Sequence, residues 1–99
     1  MVFKVVFDRC AIKDSRKLKS AGLADRTKRL LKLLETDPYQ QPPFFESLVG
    51  NLSGLFSRRI NIQHRLVYQI DRTPFVEKGI PYEGTVRVLR MWTHYDRIP

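Results

Sequence analysis

Apolar residues at the start of the chain follow first a strand pattern and then a helix pattern. Residues 2–7 are β-branched or aromatic apart from Lys4, and a run this short predicts a buried strand. Asp8, a residue type that caps helices, precedes a predicted helix over residues 9–20. Its apolar stripe is thin, and Ala21-Gly22 ends it. The stripe consists of Ala11, Ile12 and Leu18.

The most regular apolar pattern lies in the next segment and predicts a second helix. Its apolar side chains recur at helical spacing and fall within about 100° of one another around the axis. They are Leu23, Leu30, Leu31 and Leu34, with Thr27 on the same stripe. Pro38 cannot continue a helix, so the helix ends near Thr36-Asp37. The two helices together predict a helical hairpin.

The second half of the chain changes to strand patterns. Residues 37–45 contain three prolines and are predicted to form an extended, stiff connection. Residues 57–62 and 65–71 are expected to pair as an antiparallel hairpin that turns at Gln63-His64. Residues 72–84 predict a long loop, and residues 85–92 a last strand. This order indicates an α+β domain over residues 1–99, with the helical hairpin on one face of a small sheet.

Composition adds a strong basic bias. The 99 residues carry a net charge of +8, and ten Lys/Arg face four Asp/Glu within residues 1–35. Charged helix faces are usually just solvated, but an excess of one sign favours a polyanionic partner such as RNA or an acidic protein. Exposed cations of the second helix are therefore candidate RNA contacts. These are Lys28, Arg29 and Lys32.

Other properties limit the class of protein. No apolar run approaches the roughly 18–20 residues that span a bilayer, and the first residues lack a signal-peptide pattern, so we expect a cytoplasmic protein without membrane contact. Cys10 has no partner for a disulfide, and together with His64 and His94 it makes a poor set of zinc ligands. We expect neither a metal site nor a cofactor.

Several sequence blocks in a fixed order carry a resemblance. These are Asn51-Leu52-Ser53-Gly54, Ser57-Arg58-Arg59-Ile60, His64-Arg65-Leu66-Val67-Tyr68 and His94-Tyr95, with Glu46 upstream of the first. In these blocks the chain resembles the YoeB/Txe toxins of the RelE superfamily, which are ribosome-dependent mRNA interferases of bacterial toxin–antitoxin pairs. The resemblance covers at least residues 44–95. It implies a RelE-like fold and an endoribonuclease that cuts mRNA in the ribosomal A site and so inhibits translation.

The resemblance also assigns catalytic roles. Glu46 is the expected base for the 2'-hydroxyl proton, Arg65 the cation that stabilises the phosphorane, and His94 the acid for the leaving 5'-oxygen. Tyr95 is expected to stack on a base or to contact the phosphate. Without the resemblance, Glu46 would be read as a solvated carboxylate and Arg65 as a surface arginine.

Further residues near these blocks also have predicted roles. Arg59 should point away from the core toward RNA, and Arg58 beside it is also assigned to RNA binding. His64 is interpreted as a structural turn residue. Gln63 stands where some members of the family carry a second glutamate, so Glu46 is expected to act alone.

The resemblance implies partners as well: an acidic YefM/Axe-like antitoxin, the ribosome with its mRNA, and assembly into a homodimer and a toxin–antitoxin hetero-oligomer. Two other functions remain open at this point. Composition equally suits a basic RNA- or ribosome-binding inhibitor that cuts nothing. A DNA-binding repressor is less favoured because neither helix has the pattern of a recognition helix after a tight turn.

Overall fold

The computed structural model describes residues 2–92, which form a sheet and two helices. In chain order the elements are β1 (Val2–Phe7), α1 (Arg9–Ser20), α2 (Ala24–Thr36), β2 (Phe45–Ser47), a short 3-10 turn (Gly50–Leu52), β3 (Leu55–Arg59), β4 (Arg65–Asp71), β5 (Phe75–Glu77) and β6 (Ile80–Arg90). Within these residues, neither helix is long and apolar enough to cross a membrane.

The sheet has the strand order β1-β6-β4-β3-β2, and β5 pairs with the first part of β6. Only β1 and β6 run parallel among the pairs described here. A parallel neighbour needs a crossover connection, and α1 with α2 begins that crossover directly after β1. The predicted α+β fold, with a helical hairpin on a mainly antiparallel sheet, is confirmed.

The core lies between the helices and one face of the sheet. Leu66 and Tyr68 of β4 and Val88 of β6 are fully buried on that face, and Leu18 of α1 and Leu34 of α2 pack against them. Each helix therefore buries the apolar stripe that the sequence predicted, except that Ile12 stays half exposed. The other face of the sheet carries polar side chains together with apolar ones such as Val67.

A buried ion pair joins α1 to the end of β6. The Asp14 carboxylate is 1% exposed and accepts hydrogen bonds from Arg90 Nε at 2.9 Å and from the Met91 backbone N–H at 3.0 Å. The same contact raises the pKa of the Arg90 guanidinium, because Asp14 accepts its hydrogen bond. The sequence pattern predicts only apolar contacts on this side of α1.

The turn between β3 and β4 is longer than predicted. β3 ends at Arg59 rather than at residue 62, and Ile62 is 85% exposed. The Asn61 side-chain carbonyl accepts hydrogen bonds from the backbone N–H groups of Gln63 at 2.9 Å and His64 at 2.7 Å. Asn forms this local turn readily, which breaks a pattern that otherwise looks like a strand.

The prediction of a loop over residues 72–84 was wrong. β5 and the start of β6 form a hairpin there, and Lys78 and Gly79 both have positive φ angles, 51° and 78°. Such angles suit a two-residue turn whose twist matches the paired strands. The glycines and prolines that suggested a loop mark this turn and a short outer strand instead.

Residues 37–45 also differ from the prediction of an extended connection. The chain turns at Pro38-Tyr39, where the Gln40 N–H donates to Asp37 O at 3.1 Å. It then enters β2, a short edge strand that was not predicted. Asp8 precedes α1 as expected, but its side chain makes no capping hydrogen bond.

Candidate functional site

The register of β2, β3 and β4 places the Glu46 side chain in a row that crosses the sheet. Glu46 pairs with Ser57, and Ser57 pairs with Val67. Directly paired residues point to the same face of a sheet, and this face is the one opposite the helices. The short edge strand β2 therefore presents the Glu46 carboxylate, which is exposed to solvent, on the open face.

Two arginines form the neighbouring row on the same face. Arg59 and Arg65 are direct partners across β3 and β4, two residues along from Ser57 and Val67. Strand spacing and rise put the Cα atoms of Glu46 and Arg65 roughly 12 Å apart, so these long side chains reach toward a common space. Arg65 is half-buried, and its Nη1 donates to Asn61 O at 3.4 Å.

These side chains surround an open cleft of about 460 Å³. Its lining consists of Pro43, Phe44, Glu46, Ser57, Arg59 and Arg65. Sites for small ligands typically measure about 300–1,000 Å³ and contain a few converging polar groups. The cleft combines one carboxylate with two guanidinium groups, so it can hold a phosphate and accept a proton beside it.

Arg58 does not belong to this cleft. Its side chain is 1% exposed and points to the helix face. Nε donates to Tyr68 Oη at 3.0 Å, Nη1 to Pro43 O at 2.7 Å, and Nη2 to Pro38 O at 3.0 Å and Gln40 O at 2.8 Å. The expectation that Arg58 binds RNA does not fit this buried position, and the side chain holds residues 38–43 instead.

The three cations of α2 lie elsewhere on the molecule. Lys28, Arg29 and Lys32 are exposed, but α2 packs on the face of the sheet opposite the cleft. Lys28 lines a separate, largely apolar groove of about 390 Å³ between the two helices, beside Ile12 and Leu31. The structure thus separates a basic helical surface from the charged cleft.

His64 lies in the turn before β4, and its ring is buried. It stacks on Trp92 with ring centroids 3.9 Å apart, and its Nδ1 contacts the Trp92 carbonyl oxygen. These contacts fasten the end of β6 to the turn that precedes Arg65. His94 and Tyr95, the expected acid and its neighbour, lie outside the described residues.

Three residues that shape this region are not predicted from the sequence. Ser57 and Phe44 line the cleft, and Asp14 fixes the end of β6. Strand alternation places Ser57 on the same face as Arg59 and could have indicated Ser57. Phe44 and Asp14 could not be recognised in this way, because their positions depend on the edge strand β2 and on a long-range contact. Within residues 2–92, no group of three or more His, Cys, Asp and Glu side chains could hold a metal ion.

Known proteins resemble this chain both in sequence and in fold. The model of the "YoeB-like toxin of bacterial type II toxin-antitoxin system" matches residues 13–95. A Synechocystis protein named Toxin YoeB is 48% identical over 48 residues, which are 48% of this chain and 56% of that protein. A Mycobacterium tuberculosis protein named Toxin RelK is 46% identical over 46 residues, 46% of this chain and 54% of that protein. The matches thus span about half the length of these relatives.

Solved structures share the fold over nearly the whole chain. The YoeB/ParE toxin from Agrobacterium tumefaciens superposes with a TM-score of 0.75 at 23% identity, covering 94% of this chain and all of that chain. A YoeB–YefM complex from Staphylococcus aureus contains a chain with a TM-score of 0.69 at 25% identity, covering 94% of this chain and 98% of that one. The sheet and helical hairpin are therefore an arrangement that these toxins share.

Proposed function

This chain belongs to the family of YoeB-like toxins of bacterial type II toxin–antitoxin systems, and from that premise we propose that it is a ribosome-dependent endoribonuclease. It cuts mRNA in the ribosomal A site and stops translation. The observation that carries the proposal is the cleft in which Glu46, Arg59 and Arg65 meet. A base and phosphate-binding cations in one small space are what attack by a 2'-hydroxyl requires.

The Glu46 carboxylate takes the proton of the 2'-hydroxyl while the 2'-oxygen attacks the adjacent phosphorus. Glu46 is the only acid between Asp37 and Asp71, and its exposure on the edge strand gives RNA direct access to it. The P–O5' bond then breaks, leaving a 2',3'-cyclic phosphate and a 5'-hydroxyl. Water opens the cyclic phosphate to a 3'-phosphate.

Arg65 and Arg59 stabilise the charge that develops on the phosphorane. A guanidinium binds two phosphate oxygens at once, and two such groups side by side on paired strands can hold the phosphate from two directions. The hydrogen bond from Arg65 to Asn61 O restricts its side chain before RNA arrives. A group already in position loses little freedom when the substrate binds, so more of its interaction energy stabilises the transition state.

His94 supplies the proton to the departing 5'-oxygen, since imidazole transfers protons readily near neutral pH. Tyr95 stacks on a base or contacts the phosphate beside it. The chain reaches this part of the sequence directly after β6. Asp14 and the stacking of Trp92 on His64 hold Met91 and Trp92, the last residues that the structure describes.

The basic helices serve a different purpose in this account. Lys28, Arg29 and Lys32 lie on the face away from the cleft, where they can contact rRNA while the open face receives mRNA. Such contacts attract the protein to the ribosome and weaken as salt concentration rises. Binding to the ribosome and cutting then depend on separate surfaces.

An acidic YefM/Axe-like antitoxin is the proposed protein partner. The net charge of +8 favours a partner of opposite sign. A flexible acidic segment can wrap a basic toxin and cover its site, folding as it binds. Co-expression of such an antitoxin should relieve growth arrest.

Primer extension on ribosome-bound mRNA tests the activity. Purified toxin added to programmed ribosomes should produce new 5'-hydroxyl ends within the A-site codon, and the same mRNA without ribosomes should stay intact. His94→Gln should abolish the new ends. A halted ribosome without new mRNA ends would contradict the proposal and would favour a non-catalytic, ribosome-binding inhibitor.

A further inference from the structure

One large aromatic side chain at the cleft has no packing role that accounts for it. Phe44 is 69% exposed and lines the space that also contains Glu46, Arg59 and Arg65. Exposed large apolar residues are common singly, but an aromatic side chain together with a few converging polar groups is the usual lining of a ligand site. Its position suggests contact with the apolar part of a ligand whose charged part occupies the same cleft.

The backbone on both sides of Phe44 is held firmly. The Pro43 carbonyl before it accepts a 2.7 Å hydrogen bond from the buried Arg58 Nη1. Phe45 after it begins β2, pairs with Arg58 in the register, and receives the Arg58 guanidinium 4.7 Å from its ring centroid. The backbone at Phe44 is therefore anchored, although the side chain is exposed.

The lining of the cleft places the Phe44 ring on the same side of the sheet as Glu46. Phe44 comes directly before β2, and its side chain lines the cleft that also contains the Glu46 carboxylate. Phe45 between them projects to the helix face, where it packs on Phe56. Continued one residue beyond the Phe45–Arg58 pair, the register places Phe44 beside Arg59, which in turn pairs with Arg65. A ligand in the cleft would therefore meet the ring next to the arginines, with the Glu46 carboxylate in the adjacent row.

We propose that Phe44 forms a nucleobase subsite, on which a base of the bound RNA strand stacks next to the phosphate that is cut. This inference rests on the proposed ribonuclease function and specifies how that site positions its substrate. Stacking on an aromatic ring tolerates any base, because every base has a π face. The subsite therefore favours single-stranded RNA with an unstacked base, and it orients the sugar so that its 2'-hydroxyl lies near Glu46.

Fluorescence on programmed ribosomes tests this subsite without cleavage. The probe is an mRNA whose A-site codon carries 2'-O-methyl groups, which block attack, and 2-aminopurine at one position at a time. At one position, wild-type toxin should quench 2-aminopurine more than Phe44→Leu does, because Leu keeps an apolar contact but cannot stack. Phe44→Trp should restore the quenching. Equal quenching by wild type and Phe44→Leu at every position would overturn the subsite.

Cleavage kinetics give a second readout that separates this inference from the proposed activity. On unmodified mRNA, Phe44→Ala should raise KM and so lower kcat/KM by about tenfold, which is within the range expected for one stacking contact. Ile62→Ala removes an exposed apolar side chain that does not line the cleft and should leave kcat/KM unchanged. If Phe44→Ala cuts like wild type, the subsite is wrong and the nuclease assignment stands. If wild type quenches the probe more than Phe44→Leu does but leaves unmodified mRNA intact, Phe44 stacks on a base and the nuclease assignment is wrong.

Discussion

Arg58 and Tyr68 both donate a hydrogen bond to the same carbonyl oxygen, that of Pro38, and Arg58 Nε also donates to the Tyr68 hydroxyl at 3.0 Å. The two side chains come from adjacent strands and are fully buried. They hold residues 38–43 against the helix face of the sheet, and the chain then enters β2, from which the Glu46 side chain projects to the opposite face. The position of Glu46 thus depends on a polar network on the other side of the sheet.

Replacing Arg58 by lysine should destabilise the protein despite keeping the charge. One ammonium cannot reach the carbonyls of Pro38, Gln40 and Pro43 together with the Tyr68 hydroxyl. We expect a loss of about 2–3 kcal/mol in the free energy of unfolding, as buried groups lose their partners. Urea denaturation measures this loss, with Arg72→Lys at an exposed position as control. An unchanged midpoint in Arg58→Lys would contradict the anchoring role.

Tyr68 should titrate later than an ordinary tyrosine. Burial raises the pKa of its phenol from 10.0, and the effect of burial exceeds the lowering by Arg58. The folded protein therefore retains this proton after the unfolded chain has lost it. The stabilisation is present below pH 10 and is lost as the pH rises toward the folded-state pKa.

Absorbance at 295 nm can follow this titration because phenolate absorbs there. The wild-type protein has four tyrosines, and a late component should disappear in Tyr68→Phe. Tyr82→Phe serves as the control, since it should leave the late component in place. A titration of Tyr68→Phe that still contains the late component would show that Tyr68 is not its source.

The ion pair between Asp14 and Arg90 should be sensitive to loss of one partner. Asp14→Ala leaves the Arg90 guanidinium and the Met91 N–H without their acceptor in a buried site. Removing one member of a buried pair typically costs about 3–5 kcal/mol. Thermal or urea unfolding should show a large loss for Asp14→Ala and a change of about 0.5 kcal/mol or less for the exposed Glu35→Ala. Equal stability of the two variants would refute this role.

Gly84 should tolerate no side chain. A Cβ at this position of β6 would collide with the backbone carbonyl oxygen of Asp71 on β4. The two strands must then separate locally, and we expect Gly84→Ala to lose about 1–3 kcal/mol of stability, as overpacking does elsewhere. Ala at the neighbouring Glu83 is a suitable comparison in the same unfolding experiment. Stability of Gly84→Ala at the wild-type level would show that the strands yield without cost.

The sequence predicted the elements that depend on local patterns. The periodic leucines of α2 and the β-branched run of β1 specify their own structure, and the motif blocks indicated Glu46 and Arg65. Contacts between distant segments were not visible in the same way. The burial of Arg58, for example, requires residues 38–43 to fold back over it, so a neighbour of the exposed Arg59 could not be recognised as internal.

Turn chemistry explains the remaining differences. The sequence predicts a loop in place of the β5–β6 hairpin because proline and glycine are rare inside strands. The residues concerned are Pro74, Gly79 and Pro81. Lys78-Gly79 is in fact a two-residue turn. Pro81, near the start of β6, pairs with Val76 of the short outer strand β5. The sequence placed His94 in the site only through the motif, and that residue lies outside the described part of the chain.

The cleavage rate of ribosome-bound mRNA by Arg65→Ala, compared with Arg72→Ala, tests the central claim most directly. Both variants remove one arginine and one unit of charge, so their general attraction to RNA falls equally. Only Arg65 lines the cleft with Glu46 and Arg59, whereas Arg72 lies beyond β4 near the Tyr39 ring. Measured by primer extension under single-turnover conditions, Arg65→Ala should slow cleavage about 100- to 1,000-fold, and Arg72→Ala should stay close to wild type. Equal rates for the two variants would contradict the assignment of the chemistry to this cleft.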